Sequence, residues 1–264
     1  MKNGNLFGVV LFILCLMWFS TYAFATKIGN QEVNISLSET YASRYMWRGQ
    51  DFSPNNDPVM QPSIDIAFPK FVKDTDVSFN VWGAFPLSAG HESATELDYS
   101  VTASRDFLDA FNVSSGYIYF DYTKANKNSD FNEFWGSFTW LELPGLPVPI
   151  SATLFAGYEF EAAAEGPENG WYYSWGFGTE LPLLDWVFFQ KDQNLALGVT
   201  NWGNDGVAGL KSSPLYATEF SVSTSYSFKK FTLAPGVYYS LNHEEEINSG
   251  DDEFCGNISL SYAF

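Results

Sequence analysis

The sequence is poor in cysteine and in basic side chains, and each shortage excludes a class of protein. Its 264 residues contain only two cysteines, Cys15 and Cys255, which excludes a disulfide-stapled fold. The 13 lysines and arginines stand against 31 aspartates and glutamates, for a net charge of −18. An acidic surface repels phosphate backbones, so nucleic-acid binding is not expected.

Long apolar runs are also lacking, except for one near the amino terminus. The run from Leu6 to Phe19 is shorter than the ~20 residues that a membrane-spanning helix needs. Ala23 and Ala25 follow it with the small side chains of a signal-peptidase site. We predict a cleavable signal peptide over residues 1–25 and one domain over residues 26–264. An uncleaved membrane anchor is the alternative.

Catalytic motifs are scarce as well. Both histidines, His91 and His243, fall in polar stretches that are predicted as external loops. His243 precedes three glutamates, and such a pairing of base and carboxylate occurs in hydrolytic sites. The sequence has no nucleophile elbow, metal-binding histidine pair or phosphate loop. We therefore predict neither an enzyme nor a cofactor.

What the chain does have is a two-residue hydrophobic period. Aromatic residues make up 19% of the sequence, and from Phe254 to Phe264 apolar positions alternate with small or polar ones. This alternation predicts strands with one apolar face. The segments that show it are Val33 to Tyr45, Ile64 to Phe68, Val77 to Val81, Leu97 to Ala103, Phe111 to Tyr122, Phe134 to Trp140, Ile150 to Tyr158, Trp171 to Phe177, Leu195 to Val199, Tyr216 to Phe228, Phe231 to Tyr239 and Phe254 to Phe264.

These segments predict an all-β protein, an antiparallel up-and-down transmembrane β-barrel of about twelve strands. A membrane strand with its connection takes roughly 20 residues, which fits the length, although ten or fourteen strands remain open. The phase of Phe111 to Tyr122 is ambiguous, and a bulge is expected near Ser115-Gly116. Polar links such as Gln50 to Asn56 predict external loops. A secreted β-sandwich is the alternative, but it leaves the aromatic excess unexplained.

Two segments carry a resemblance to known proteins. The last strand, with Leu260, Tyr262 and Phe264, resembles the carboxy-terminal signature of bacterial outer-membrane β-barrels, which implies recognition by the barrel-assembly machinery. Residues 40–105, with a Tyr-x-Trp-Arg-Gly segment from Tyr45 to Gly49, resemble an uncharacterised group of proteobacterial outer-membrane barrels. The resemblance implies this fold and location, and brings no settled activity.

If the apolar face points outward, the opposite positions line the lumen, and several of them are charged. The charged candidates are Arg44, Arg48, Asp65, Glu96, Asp98, Glu133, Glu159, Glu180 and Glu219, with both arginines expected on the polar face of the first strand. The carboxylates either pair with the arginines or attract cations in a water-filled channel. An aromatic constriction is expected from Trp82, Trp135, Tyr172, Trp202 and Tyr238.

Together these patterns predict a narrow porin-like channel for small solutes with a preference for cations. The alternative is a non-conducting structural or surface-interaction barrel with acidic external loops. One such loop, with Glu244, Glu245, Glu246, Asp251, Asp252 and Glu253, is a candidate calcium site, although it lacks the regular spacing of a calcium loop. The expected partners are outer-membrane lipid and lipopolysaccharide, the barrel-assembly machinery, and small solutes or cations.

Overall fold

The computed structural model of the protein describes residues 27–88, 90, 95–123, 129–162, 168–183, 193–207 and 210–264. The predicted signal peptide, residues 1–25, and His91 lie outside the described residues. Within these ranges the chain is almost entirely extended, with 3-10 turns at Pro54–Asn56 and Asn248–Gly250. No helix in the described part of the chain is long and apolar enough to cross a membrane.

Twelve long strands are present in the described residues. In chain order they are β1 (Asn34–Ala42), β2 (Val59–Val72), β3 (Thr75–Pro86), β4 (Glu96–Phe107), β5 (Phe111–Asp121), β6 (Phe131–Trp140), β7 (Ile150–Glu161), β8 (Gly170–Pro182), β9 (Asn194–Asn204), β10 (Ser213–Thr224), β11 (Phe231–Asn242) and β12 (Glu253–Ala263). The short strand Tyr226–Phe228 continues β10 and also pairs with β11. Two-residue strands precede β1, at Lys27–Ile28 and Gln31–Glu32.

The sheet is closed. Each strand pairs antiparallel with its chain neighbours, and β12 pairs with β1 from Asn257 opposite Ala42 to Ala263 opposite Ser36. Closure removes the sheet edges, so the backbone groups of every strand find partners without water. The prediction of an all-β antiparallel barrel with twelve strands is therefore confirmed.

The two faces of the wall differ in polarity. On the outer face large apolar side chains are exposed, such as Phe134 and Leu154 at 59% each. Their neighbours in the chain point inward and are mostly polar or small. Such a belt of apolar side chains is stable against the hydrocarbon of a bilayer and costs free energy in water. Transmembrane barrels have a belt of this kind.

The two ends of the barrel have different connections. At the end where β1 begins and β12 stops, here called the terminal end, two-residue turns link β2 to β3 and β10 to β11. Positive φ angles of 44°, 64° and 57° at Lys73, Asp74 and Lys229 reverse the chain there. At the opposite end, here called the loop end, the links are mostly longer. This alternation is the one predicted from the sequence.

The bulge predicted near Ser115-Gly116 is wrong. From Phe111 to Asp121, β5 pairs with both neighbours without a shift in register. Gly116 instead lies under the ring of Trp135, where a Cβ would come within 2.8 Å of the indole. A glycine inside a strand marks either a bulge or a close approach, and here it marks a close approach.

Candidate functional site

The segment between β1 and β2 folds into the lumen. Met46–Trp47 pairs with Gln50–Asp51, and the turn between them has φ angles of 52° at Arg48 and 77° at Gly49. Positive φ at both central residues is the requirement of a type I′ hairpin turn. Residues 43–52 are called the lumen hairpin below. The external loop predicted from Gln50 to Asn56 is therefore wrong at Gln50 and Asp51.

The strand predicted to carry Arg44 and Arg48 is also wrong. β1 ends at Ala42, so Arg44 and Arg48 lie on the lumen hairpin rather than on the polar face of the first strand. The apolar residues Tyr45, Met46 and Trp47 explain the inward fold, since an external loop would expose them to water and the lumen lets them pack.

The tip of the lumen hairpin lies against β10 and β11. A Cβ on Gly49 would sit 2.7 Å from the Cβ of Ala217 and 3.1 Å from the Oγ of Ser240. The Ser240 hydroxyl donates to the Gly49 carbonyl at 2.8 Å, and the Tyr216 hydroxyl donates to the Arg48 carbonyl at 2.8 Å. Only glycine combines the positive φ with this close approach.

The Arg48 guanidinium reaches β6 and β7. Its Nη2 donates to Glu133 Oε1 at 2.7 Å and lies 2.6 Å from Oε2, and its Nη1 donates to Glu159 Oε1 at 3.3 Å. The side chains of Glu133, Glu159 and Arg48 are 0%, 3% and 6% exposed. Gly157 makes room for this group, because a Cβ there would lie 2.7 Å from the Glu133 carboxylate. Buried charges of this kind are tolerated only when they are paired.

Four aromatic rings surround the same guanidinium. The Cζ of Arg48 lies 4.0 Å from the ring centroid of Trp47, 4.8 Å from Tyr172, 5.0 Å from Phe155 and 5.9 Å from Trp202. Ring faces attract cations, most strongly where water is excluded. Glu133, Glu159 and these four rings are called the cation box below.

The base of the lumen hairpin is held by the second arginine. Arg44 forms an ion pair with Glu253 of β12 and lies 3.4 Å from Asp51 Oδ2. The buried thiol of Cys255 donates to the Arg44 carbonyl at 3.3 Å. Arg44 therefore ties the start of the hairpin to its end and to the strand that closes the barrel.

The remaining wall contacts of the hairpin are aromatic and acidic. Tyr45 packs against Trp82 of β3 with 5.4 Å between ring centroids, and Trp47 packs against Phe120 of β5 at 5.6 Å. Tyr45 also faces Glu96, which is 1% exposed and lies beside Asp98. With the contacts to β6, β7, β10, β11 and β12, the hairpin spans the lumen from wall to wall.

A cavity of about 400 Å³ adjoins the cation box. Trp47, Arg48, Phe155 and Trp202 line both, and Glu219 and Tyr238 are among the other lining residues. Glu219 and Tyr238 are the next inward positions after Ala217 and Ser240 in the direction of the terminal end. The cavity therefore lies on the terminal-end side of the hairpin.

Farther toward the terminal end, the inward side chains become small. The inward positions there include Ser36, Ser38, Ser63, Ser78, Ser100, Thr102, Ser137, Ser151, Gly178, Gly198, Ser221, Ser223, Ser259 and Ser261. The serine and threonine hydroxyls keep this part of the wall polar, and these short side chains, as far as the described residues extend, reach little into the lumen. One half of the lumen is therefore filled, and the other is thinly lined.

Three other predicted acids also face inward, outside the ion-pair cluster. Asp65 pairs in register with Ser36 and Asn80, and Glu180 accepts a hydrogen bond from Asn194 Nδ2 at 3.0 Å. Glu219 faces the backbone N–H of Gly49. Among the described residues, none of these three carboxylates forms an ion pair.

The five aromatic residues predicted as a constriction all point into the lumen, but only two join the cation box. Tyr172 and Trp202 belong to the box, and Tyr238 lines the cavity. Trp82 packs on Tyr45, and Trp135 stacks on Phe155 with 6.1 Å between centroids. Sequence reasoning missed Trp47 and Phe155 as site residues. An arginine-glycine pair between aromatic segments was the signal for a turn that could have revealed Trp47.

The acids considered for calcium do not converge. Glu253 is taken by Arg44, and Glu244 accepts the Ser213 hydroxyl at 2.9 Å. Among the described residues, no group of three or more metal-binding side chains occurs. The proposed set of Glu244, Glu245, Glu246, Asp251, Asp252 and Glu253 is therefore dispersed, because individual members are bound to separate partners.

In the loop after β11, two hydrogen bonds favour the ionised form of Asp252. Asp252 accepts the Tyr239 hydroxyl at 2.7 Å and the Asn242 backbone N–H at 3.0 Å. Both stabilise the carboxylate, with the Tyr239 bond the stronger influence, so the pKa of Asp252 lies below its ordinary value. The neighbouring His243 has its Nε2 3.0 Å from Thr218 Oγ1.

The residues of the predicted assembly signal lie on the outer face of β12. Leu260 lies opposite Leu233 of β11 and opposite Glu39 of β1 in the strand register. Tyr262 packs against Phe231 and Phe264 with centroid distances of 4.8 Å and 4.9 Å. Their role as an assembly signal stays a prediction.

Comparison with known proteins yields structural neighbours only. No family model and no curated protein matches the sequence. A solved bacterial polysaccharide outer membrane secretin matches with a TM-score of 0.53 and 7% identity, covering 90% of this chain and 100% of the other. This likeness establishes the fold.

Two further solved barrels match less closely. KdgM porin gives a TM-score of 0.49 at 11% identity, over 87% of this chain and 99% of the other. The translocator domain of the autotransporter NalP from Neisseria meningitidis gives 0.48 at 12% identity, over 90% of each chain.

Proposed function

We propose that this barrel is a narrow porin-like channel of the bacterial outer membrane, with a preference for cations. One observation carries the proposal, namely the excess of carboxylates in the lumen. In the described part of the chain, ion pairs occupy Arg44 and Arg48, whereas Asp65, Glu180 and Glu219 form none. Fixed negative charge along a wet path attracts cations and repels anions.

The membrane location has independent support from the wall and the connections. The outer face is an apolar belt, and the closed sheet satisfies its own backbone. Outer-membrane barrels have short periplasmic turns and longer external loops, so the terminal end faces the periplasm and the loop end faces outward. The assembly signal of β12 and the signal peptide over residues 1–25 belong to this proposal.

The width of the path follows from the strand number and the hairpin. Twelve strands enclose more space than eight-stranded barrels, which side chains fill, and less than sixteen-stranded porins. The lumen hairpin narrows this space at the outer end. The channel therefore suits small ions and small solutes.

A non-conducting barrel is the second candidate, because the lumen hairpin makes contacts from wall to wall. In that case the acidic loops would act through lipopolysaccharide, ions or other surfaces. The two candidates differ in whether current passes.

The test is single-channel current in a planar bilayer under a salt gradient. The wild type is compared with Asp65→Asn/Glu180→Gln/Glu219→Gln, which removes three acids from the lumen. The matched control, Glu245→Gln/Asp251→Asn/Asp252→Asn, removes three acids from the loop after β11. We expect cation-selective current in the wild type and control, and a loss of selectivity in the lumen variant.

Each other outcome has a definite meaning. Equal selectivity in the lumen variant and the wild type would refute the role of these carboxylates. Silence from folded wild-type protein would refute the channel and favour the non-conducting barrel.

A further inference from the structure

We propose that the cation box is a recognition site for organic cations that carry a guanidinium group, and that Arg48 is the internal ligand which such a solute displaces. The site stands on its own geometry, while its use in opening the lumen rests on the proposed channel function. The chain supplies both the receptor, from β6, β7, β8, β9 and Trp47 of the hairpin, and the guanidinium that occupies it, from Arg48 at the hairpin tip.

The shape of the box matches a planar cation with N–H groups along its edges. Glu133 and Glu159 accept from separate nitrogens, at 2.7 Å and 3.3 Å. Aromatic rings surround the group, at 4.0 Å for Trp47 and 4.8 Å for Tyr172. A fork of donors flanked by rings is the recognition geometry of guanidinium, whereas an ammonium ion acts as a compact point charge.

Because the two carboxylates are buried, they favour a positively charged group in the place of Arg48. Glu133 and Glu159 are 0% and 3% exposed, so each needs either a compensating cation or a proton. A neutral or anionic solute that moved Arg48 aside would leave both carboxylates without a cation. A cation restores the pairing that Arg48 provides.

The adjoining cavity gives a solute room beside the box. Its volume of about 400 Å³ lies in the range of pockets for small ligands, and Arg48 itself forms part of its wall. Glu219 contributes a further carboxylate at the same place. Among the described residues, the inward side chains between this cavity and the terminal end are mostly small.

Displacement would loosen the lumen hairpin at its tip. Without its guanidinium anchor, the tip keeps the hydrogen bonds to its backbone from Tyr216 and Ser240. These bonds hold main-chain atoms and have no charge to neutralise. In the proposed channel, a solute that binds the box therefore frees the hairpin tip from one of the contacts that hold it across the lumen.

The direct test is guanidinium binding to folded Arg48→Ala protein, with guanidinium chloride as the probe at non-denaturing concentration. Binding is followed by calorimetry and by tryptophan fluorescence, since Trp47 and Trp202 line the site. Urea, a planar and neutral analogue, is the control ligand. We expect Arg48→Ala to bind guanidinium and not urea, with affinity reduced about tenfold or more in Arg48→Ala/Glu133→Gln/Glu159→Gln.

Equal guanidinium affinity in the two variants, or equal binding of urea, would overturn the proposal. If Arg48→Ala does not fold, Arg48→Lys serves instead, because lysine keeps the charge but not the two-pronged contact. Guanidinium should then bind Arg48→Lys more tightly than wild type, and unchanged binding would refute the site. Since binding is read without current, a silent barrel that binds guanidinium refutes only the channel.

Discussion

The loop-end half of the lumen contains the hairpin, an ion-pair cluster and packed rings, whereas the terminal-end half is lined mostly by serine, threonine and glycine. The same strands form both halves, with the same alternation of inward and outward positions. What changes is the size of the inward side chains and the presence of a segment that is not part of the wall. A barrel wall can therefore be regular while its interior is specialised at one level.

The two halves also differ in what stabilises them. In the terminal-end half, backbone pairing and the apolar belt stabilise the wall, and no ion pair occurs among the described residues there. In the loop-end half, the buried charges of Arg48, Glu133 and Glu159 depend on one another. Substitutions should therefore have large effects in the loop-end half and small effects in the terminal-end half.

The largest effect is expected from Arg48→Ala, because it leaves Glu133 and Glu159 buried without a cation. Breaking a buried pair in this way costs roughly 3–5 kcal/mol, which should loosen the tip of the lumen hairpin. Hydrogen exchange at Met46–Asp51 should accelerate, and single-channel conductance should rise. The triple variant Arg48→Ala/Glu133→Gln/Glu159→Gln should recover much of the lost stability in denaturant unfolding. If it does not, unpaired carboxylates are not the source of the loss.

A smaller effect is expected from Gly49→Ala. The φ of 77° is unfavourable for alanine, and the new Cβ would meet Ala217 at 2.7 Å. Together we expect a loss of about 2 kcal/mol in hairpin docking, measured by protease cleavage within residues 43–52. Gly256→Ala is the matched control, since its Cβ would meet nothing within 4 Å. Comparable cleavage in both variants would show that the tip is not tightly seated.

The smallest effect on stability is expected from Ser38→Phe in the terminal-end half. Ser38 points inward between Ser63 and Ser261, so a ring has room, and we expect a change below about 1 kcal/mol with reduced conductance. The contrasting variant is Ser240→Phe, at a buried position against Gly49, where overpacking should cost roughly 1–3 kcal/mol. Equal denaturation midpoints for the two variants would show that the two halves tolerate a large inward side chain equally well.

The wall could be predicted from the sequence, because alternation is local. The side of each residue in β6, such as Phe134 outward and Glu133 inward, follows from its neighbours two positions away. The lumen hairpin could not be predicted in the same way. Its partners are distant along the chain: Arg48 and Glu133 are 85 positions apart, and Gly49 and Ser240 are 191 positions apart. From the sequence alone, the Tyr-x-Trp-Arg-Gly segment therefore looks like the end of a strand. Only the closed sheet provides the interior into which this segment folds.

By itself the sequence determined the strands, their two faces and the excess of acid in the lumen, because a two-residue period acts between near neighbours. Only the tertiary structure decided that Arg48 pairs with Glu133 and Glu159, that four rings enclose it, and that one half of the lumen is filled. The physical reason is closure, since residues from β5 to β12 become neighbours across the lumen only when β12 pairs with β1.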